Sequence, residues 1–185
     1  YHTLHAEYPQ FGGDYEVIHH SQLIANLLEE GRIPLENGDR RKITYHDSCY
    51  LGRWNNIYSE PRDVVNQLPG ASFVETERHG NTAFCCGAGG GRFWMEEEPP
   101  RVNELRSAEI YEATKADVVA VGCPFCTTMI TDGIKGLTAM EDYKGNQAAD
   151  DWSEHVQVLD IAELVAAALP EGVGEVPDDD EDDDE

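Results

Sequence analysis

DVVAVGCPFC, residues 117–126, joins a continuous apolar run to a Cys-x-x-Cys pair. An apolar run of this kind is typical of a parallel strand that is buried on both faces. Cys123 follows the run and opens a predicted helix over residues 123–135, where Pro124 suits the first turn. The stretch therefore predicts a strand that delivers Cys123 and Cys126 to the end of a sheet.

Strands and helices alternate along the rest of the chain in the same way. The predicted strands are residues 42–45 (KITY), 71–75, 117–121 and 156–159, and the predicted helices are residues 61–68, 100–115, 123–135 and 161–169. Asp160 is a predicted N-cap for the last helix, and Pro170 ends it. This order predicts an α/β fold with a mainly parallel sheet flanked by helices.

The helix predicted over residues 100–115 has an amphipathic pattern. Its apolar positions are Val102, Leu105, Ala108, Ile110 and Ala113, with charged residues between them. We expect these apolar side chains to face the core and the charged ones to face solvent.

An internal similarity predicts how the chain is divided. Residues 16–31 align without gaps to residues 157–172, with six of sixteen positions identical, and each copy is a predicted strand followed by a helix. Chance likeness between two strand–helix units is the alternative. If the similarity is real, the chain is the C-terminal part of a two-module protein. Its divisions are then the end of a preceding module (1–31), a linker (32–41), a cysteine-rich module (42–172) and a disordered acidic tail (173–185).

The chain is strongly acidic, with a formal net charge of −24. Residues 178–185 are eight acids, and the other 177 residues carry 29 acids against 13 bases. Such a surface repels nucleic acid and anionic lipid, so we expect no nucleic-acid partner. The acidic excess favours a halophilic protein from a high-salt cytosol, where screening weakens self-repulsion, over an ordinary acidic protein.

No targeting or membrane-spanning segment is visible in the sequence. The chain starts at Tyr1 without a charged-then-apolar leader, and its longest apolar stretch, residues 161–169, is too short to cross a bilayer. We therefore expect a cytoplasmic protein. Any contact with the inner face of the membrane would come through a partner or a missing segment.

The five cysteines are the main functional signal. Their spacing is C-x35-C-C-x36-C-x2-C, and they are Cys49, Cys85, Cys86, Cys123 and Cys126. An odd number with an adjacent pair argues against a disulfide framework. Each cysteine or pair comes after a predicted strand, and loops that follow parallel strands gather at one edge of a sheet. We therefore expect the cysteine loops to meet at one sheet edge and to bind metal.

A glycine-rich loop over residues 81–92 follows the adjacent cysteines. Gly87, Gly89, Gly90 and Gly91 can adopt positive φ and let the backbone approach a bulky inorganic group, and their N–H groups can donate to its sulfides. A phosphate cradle is the other interpretation, but the GxxxxGK[ST] pattern is missing and the surroundings are acidic.

The number of thiols separates the metal classes. Five cysteines exceed the four ligands of a tetrahedral zinc site, and soft thiolates suit iron–sulfur clusters. The sequence therefore favours an iron–sulfur site, while zinc with one spare cysteine stays open.

Several polar residues beside the cysteines are weaker candidates. His46 and Asp47 precede the first ligand and could tune the site or relay a proton, although a structural role in the loop is the simpler interpretation. His79 and Arg92 flank the glycine loop, where they could offset cluster charge, contact a substrate carboxylate or lie on an ordinary surface.

Histidines and aromatic residues near predicted strand ends form a further group. His19 and His20 follow the strand predicted in the first repeat, where a site could lie. Trp54, Phe93 and Trp94 could shield a cluster from water, although core packing is the simpler expectation.

Three stretches together resemble a known family. They are HDSCYLGR (46–53), RHGNTAFCCGAGGGRFW (78–94) and VGCPFCTTM (121–129), and the resemblance covers about residues 42–170. The chain is similar to the CCG, or cysteine-rich, domain of iron–sulfur oxidoreductases such as heterodisulfide reductase. The Fe–S subunits of glycolate oxidase and anaerobic glycerol-3-phosphate dehydrogenase carry the same domain. Ser48 departs from the family, where proline is expected.

The resemblance implies a cofactor and partners. It implies that the five cysteines bind a [4Fe–4S] cluster, which is noncubane in the reductase branch, whereas other branches hold a different cluster or zinc. The implied partners are an upstream CCG module, a ferredoxin-type cluster domain, and a redox partner subunit or membrane anchor. The implied function is electron transfer, with reduction of a disulfide in the reductase branch. A non-catalytic relay of a membrane-linked dehydrogenase and a structural zinc domain are the alternatives.

Overall fold

A four-stranded sheet forms the centre of the molecule. The computed structural model describes residues 1–38 and 40–173. In it β1 (Lys42–Tyr45), β2 (Ser72–Phe73), β3 (Val118–Val121) and β4 (Gln157–Asp160) are all parallel, in the order β2-β1-β3-β4. The predicted parallel α/β fold is confirmed. β2 is shorter than predicted, because this edge strand pairs with β1 at only two positions.

Helices cover both faces of the sheet. The α-helices of the described residues are α1 (His20–Glu29), α2 (Gly52–Asn55), α3 (Ser59–Gln67), α4 (Val102–Thr114), α5 (Pro124–Leu137), α6 (Gln147–His155) and α7 (Ile161–Ala167). A π-helical turn (Thr3–Glu7) and 3₁₀ turns at Tyr8–Phe11, Gly80–Thr82 and Gly89–Trp94 complete them. The four predicted helices are confirmed, with ends shifted by at most two residues.

The apolar run of β3 explains the layering. Val118 and Ala120 pack in a cluster with side chains of α1, α3 and α7, whereas Val119 and Val121 pack with side chains of α4, α5 and α6. All four are fully buried. Since alternate residues of a strand point to opposite faces, a continuous apolar run needs a helical layer on each side.

The amphipathic pattern of α4 predicted its buried face only in part, since Ala108 and Ile110 are buried as expected. Leu105 and Ala113 are exposed, while Asn103, Arg106 and Ser107 are buried. The reason is the close contact with α5, where a Cβ on Gly133 would lie 2.3 Å from the Asn103 carbonyl oxygen. Polar and small residues line this contact, so apolar periodicity does not report it.

The first copy of the internal similarity lacks its predicted strand. Residues 16–19 form no strand, and His19 instead begins α1 as its N-cap, with its ring accepting a hydrogen bond from the Ser21 N–H at 3.2 Å. Residues 16–19 therefore add no fifth strand, and β4 is an edge of the sheet in the described part of the chain. The division into modules stays a prediction, and residues 174–185 of the predicted tail lie outside the described residues.

The strand order creates a crevice at the carboxyl edge. The chain passes from β1 to β2 on one side and then returns to β3 on the other side of β1. In open α/β sheets, ligand sites form where the connections diverge in this way. The loops that leave β1 and β3 carry Cys49 and Cys123.

Candidate metal centre

Three loops bring the cysteines to the carboxyl edge of the sheet. Cys49 follows β1, Cys85 and Cys86 come from the long connection after β2, and Cys123 N-caps α5, which contains Cys126. All five are free thiols. The expectation that the cysteine loops gather at one sheet edge is therefore confirmed.

The group has an inner half that is closed to solvent. It consists of His46, Cys86 and Cys126, all buried, whose potential ligand atoms lie within 4.8 Å of one another. The Cys86 and Cys126 sulfurs are 3.5 Å apart. Three donors at this separation can contact one metal centre.

The outer half consists of Cys49, Cys85 and Cys123, which are half-buried. Cys49 borders two cavities. One, of about 20 Å³, is also lined by Cys85 and Cys86, and has room for about one water molecule. The other, of about 220 Å³, is also lined by Cys123 and Cys126. The outer half is thus the side from which a ligand can reach the thiols.

Two of the thiols are predisposed to ionise. The Cys126 thiol, which donates to the Cys86 sulfur, and the neighbouring Cys85 and His46 side chains lower the pKa of Cys86 below its ordinary value. A hydrogen bond from Cys126, together with backbone N–H groups at the start of α5, lowers the pKa of Cys123 to about 6. Since thiolates are the form that binds metal, the group has partial ligand character before any metal arrives.

The other three thiols resist ionisation in the absence of a cation. Hydrogen bonds to Cys123 and Cys86 raise the pKa of Cys126, and burial raises that of Cys49. The pKa of Cys85 is raised by its hydrogen bond to Cys86, although the Gly87 N–H donates to its sulfur at 3.2 Å. Five crowded thiols cannot all lose their protons unless positive charge enters, as a soft metal would provide.

The glycine loop agrees with the prediction at three of four positions. Gly87, Gly90 and Gly91 have φ of 97°, 65° and 79°, whereas Gly89 has no positive φ. Gly87 is also crowded, since a Cβ there would lie 3.1 Å from the Met129 methyl carbon. The two cysteines therefore enter a backbone that only glycine can adopt easily.

Asp47 braces the first cysteine loop. Its carboxylate accepts two hydrogen bonds from the Arg62 guanidinium, at 2.8 and 2.9 Å, and one from the Gly80 N–H at 2.7 Å. Burial alone would raise the pKa of Asp47, but the Arg62 charge and hydrogen bonds lower it. Glu75 shares the same guanidinium. These contacts support the structural interpretation of Asp47.

His46 differs from Asp47, because it belongs to the thiol group itself. Its Nδ1 accepts a hydrogen bond from Arg106 Nε at 3.2 Å, and its ring contacts Cys86. Arg106 was not predicted as a site residue, because the helical pattern placed it among solvent-facing charges. No local signal identifies it, since its partner is 60 residues away.

The remaining candidates lie around the group and not within it. The His79 ring donates from Nδ1 to the Thr76 carbonyl at 2.8 Å, and Arg92 pairs with Glu97. His19 borders the 220 Å³ cavity. Burial, together with the neighbouring charge of His20, lowers the pKa of His19 to about 4.

The aromatic residues surround the outer half. Trp54 and Trp94 are 60% and 82% exposed, so the expected core packing is wrong for both. Phe93 instead stacks edge-to-face on Phe125, which lies between Cys123 and Cys126 in the sequence. Among the described residues no helix combines the length and apolar character needed to cross a membrane.

Comparison with curated proteins gives related sequences from bacteria and archaea. The chain is 39% identical to the probable iron–sulfur-binding oxidoreductase FadF of Bacillus subtilis, over 91% of this chain and 22% of that protein. It is 38% identical to the EtfAB:quinone oxidoreductase of Syntrophomonas wolfei, over 91% of this chain and 23% of that protein. It is 36% identical to one subunit of the dihydromethanophenazine:CoB–CoM heterodisulfide reductase of Methanosarcina barkeri, over 84% of this chain and 34% of that relative.

These matches define the extent of the similarity. The chain spans about a quarter to a third of the length of these relatives. No solved structure matches it. The model of the cysteine-rich domain, CCG, matches residues 43–131, which contain all five cysteines. This part of the chain therefore belongs to the CCG cysteine-rich domain family.

Proposed function

We propose that this chain is an iron–sulfur-binding, electron-transferring part of an oxidoreductase, with Cys49, Cys85, Cys86, Cys123 and Cys126 as the ligands. The observation that carries the proposal is the convergence of these five thiols, from three loops, at one edge of the sheet. The relatives, which are oxidoreductases by name, support the same function.

The donor set fits an iron–sulfur cluster. The five sulfurs are soft donors, and the thiols whose pKa is raised can ionise when the positive charge of a cluster is present. The glycine loop has no bulky side chains that would keep a cluster away from the Cys85 and Cys86 sulfurs. A bound cluster supplies a one-electron redox centre. The buried half would exclude water from it, and the half-buried cysteines would keep it close to the surface for electron exchange. A [4Fe–4S] cluster, noncubane or cubane, is the type we propose.

The relatives support a proposal about the partners. We propose that electrons reach this chain from a ferredoxin-type cluster domain and leave through a further CCG module or a quinone-linked partner. The name of the Syntrophomonas relative supports the quinone link. Attachment at the inner face of the membrane, through a partner or anchor, is part of this proposal.

Metal analysis tests the proposal. The protein is purified anaerobically, and iron, acid-labile sulfide and zinc are measured together with the EPR spectrum before and after dithionite. We expect a brown protein with iron and sulfide in equal amounts and an EPR signal in one oxidation state. The Cys85→Ser and Cys86→Ser variants should lose iron, whereas Thr128→Ala, an exposed change on the same helix as Cys126, should not. About one zinc per chain without iron or sulfide would overturn the proposal in favour of a structural zinc domain.

Reduction of a disulfide is a second candidate function. The 220 Å³ cavity that favours it borders Cys49, Cys123 and Cys126, so a small sulfur compound could reach the cluster position directly. The reaction consumes two electrons and two protons per disulfide and yields two thiols. Adding a thiol to the oxidised holo-protein distinguishes disulfide reduction from simple electron relay. A shifted EPR spectrum indicates that sulfur binds at the cluster, and an unchanged spectrum indicates a relay.

A further inference from the structure

A fully buried arginine stands behind the inner half of the metal centre. Arg106 is 0% exposed and directs all its donors into protein. Its Nη1 donates to the Arg78 carbonyl at 3.2 Å and to Glu109 at 3.0 Å, and Nη2 donates to the Thr76 hydroxyl at 3.3 Å. The third direction, Nε, points at His46. Burying a charge is unfavourable unless it is hydrogen-bonded, so these contacts define the orientation of the guanidinium.

The contact between Arg106 and His46 fixes the histidine tautomer. A guanidinium has only donors, so the Nδ1 atom of His46, 3.2 Å from Nε, must accept. The ring proton therefore resides on Nε2. The backbone holds the ring in place as well, because the His46 N–H donates to the Ala120 carbonyl of β3 at 2.9 Å.

With Nδ1 occupied by Arg106, Nε2 is the nitrogen left free to contact the thiols. The ligand atoms of His46, Cys86 and Cys126 lie within 4.8 Å of one another, a spacing that would also suit three ligands of one metal ion. A histidine ligand, however, binds metal through one nitrogen while the other donates a hydrogen bond. Metal on Nε2 would place a proton on Nδ1, directly opposite the N–H of Arg106. Arg106 therefore disfavours metal binding by either nitrogen.

We propose that His46 is not a metal ligand but donates a hydrogen bond from Nε2 to the sulfur of Cys86, and that Arg106 is the positioning residue that holds this tautomer. The effect on a cluster rests on the proposed function, whereas the tautomer does not. A hydrogen bond to a ligand sulfur favours the more negative, reduced state, so the pair raises the reduction potential of the bound cluster.

The first test uses the metal-free protein. Long-range proton–nitrogen NMR correlations of histidine distinguish the two tautomers without any variant. We expect His46 as the Nε2–H form. In Arg106→Gln, the amide oxygen can accept from Nδ1, so the Nδ1–H form should become populated. The control is Arg78→Gln, which also removes a guanidinium from Glu109 but does not touch His46, and it should leave the tautomer unchanged. An Nδ1–H ring in the unmodified protein overturns the proposal even if the variants fail to fold.

The second test uses the holo-protein and a substitution of the ring. His46→Leu should keep the iron content of the unmodified protein while its midpoint potential shifts to a more negative value. Loss of the metal with the fold intact, judged by circular dichroism, would make His46 a ligand and overturn the proposal. Failure of the proposed function would be recognised separately, since the unmodified protein would then contain no iron and sulfide whatever its His46 tautomer.

Discussion

The inner and outer halves of the metal centre are built on different principles. His46, Cys86 and Cys126 are buried and held by the packed core and by Arg106, whereas Cys49, Cys85 and Cys123 are half-buried and border cavities. Changes to Cys86 and Cys126 in the inner half should therefore affect folding and metal together, because the same buried sulfurs serve both. Changes in the outer half should affect access and exchange more than stability.

The largest expected effect comes from comparing one thiol of each half. Cys86→Ser removes the buried sulfur that lies 3.5 Å from the Cys126 sulfur, and iron content should fall at least about 10-fold, the lower end for disruption of a metal-site contact. Cys49→Ser should retain a larger share of the iron, because the other four thiols remain in place. Iron and sulfide analysis of the anaerobically purified variants measures both. Equal losses would show that the two halves do not differ as ligands.

The next effect concerns the buried charges that brace the first cysteine loop. Arg62→Met leaves the Asp47 carboxylate, which is 3% exposed, without its partner, and the free energy of unfolding should fall by about 3 kcal/mol. Urea titration followed by circular dichroism measures the change. The control is Arg32→Met, which breaks an exposed pair with Glu30 and should cost about 0.5 kcal/mol or less. Similar losses in both variants would contradict a special role for the buried pair.

Gly87 and Gly89 of the glycine-rich loop differ in backbone geometry, and alanine at each position tests whether that difference matters. Gly87→Ala strains a φ of 97° and presses a methyl against Met129 and the Asn103 amide, so it should destabilise by about 2 kcal/mol. Gly89→Ala should be nearly neutral, since Gly89 has no positive φ and a Cβ there meets nothing within 4 Å. Thermal unfolding of both metal-free variants tests this. A larger loss for Gly89→Ala would mean that the loop is constrained beyond its backbone geometry.

The smallest effect is a pH dependence of the folding stability that comes from Glu109 and its two arginine partners, Arg78 and Arg106. Burial alone would raise the pKa of Glu109, but hydrogen bonds and charge from Arg78 and Arg106 lower it. Its stabilising contribution is therefore present above the unfolded-state pKa of about 4.3 and is lost as the pH falls through the lower folded value. Glu109→Gln should cost about 1.5 kcal/mol at neutral pH and flatten the loss of stability below pH ~4.3. Urea titrations across acidic pH measure the slope, and an unchanged slope would contradict this account.

The sequence predicted the sheet and the convergence of the cysteines, but not the support behind them. The apolar run before Cys123 required two helical layers, and parallel strand order required that the following loops meet, so Cys49 and Cys126 could be placed together. Part of the buried side of α4 was missed because close packing at Gly133 selects small and polar residues there. The strand expected before His19 was wrong, because the local pattern of residues 16–19 does not report whether folding places the segment alongside a sheet edge.

The sequence by itself determined which atoms are available, namely five soft donors, a glycine backbone and the strand–helix order that carries them. Only the tertiary structure decided how those atoms divide, with Cys86 and Cys126 enclosed and Cys49, Cys85 and Cys123 accessible. It also placed Arg106 beside His46, although 60 residues separate them. The physical reason is that strand and helix periodicity is local, whereas burial, hydrogen-bond direction and tautomer depend on partners that folding brings together from distant segments.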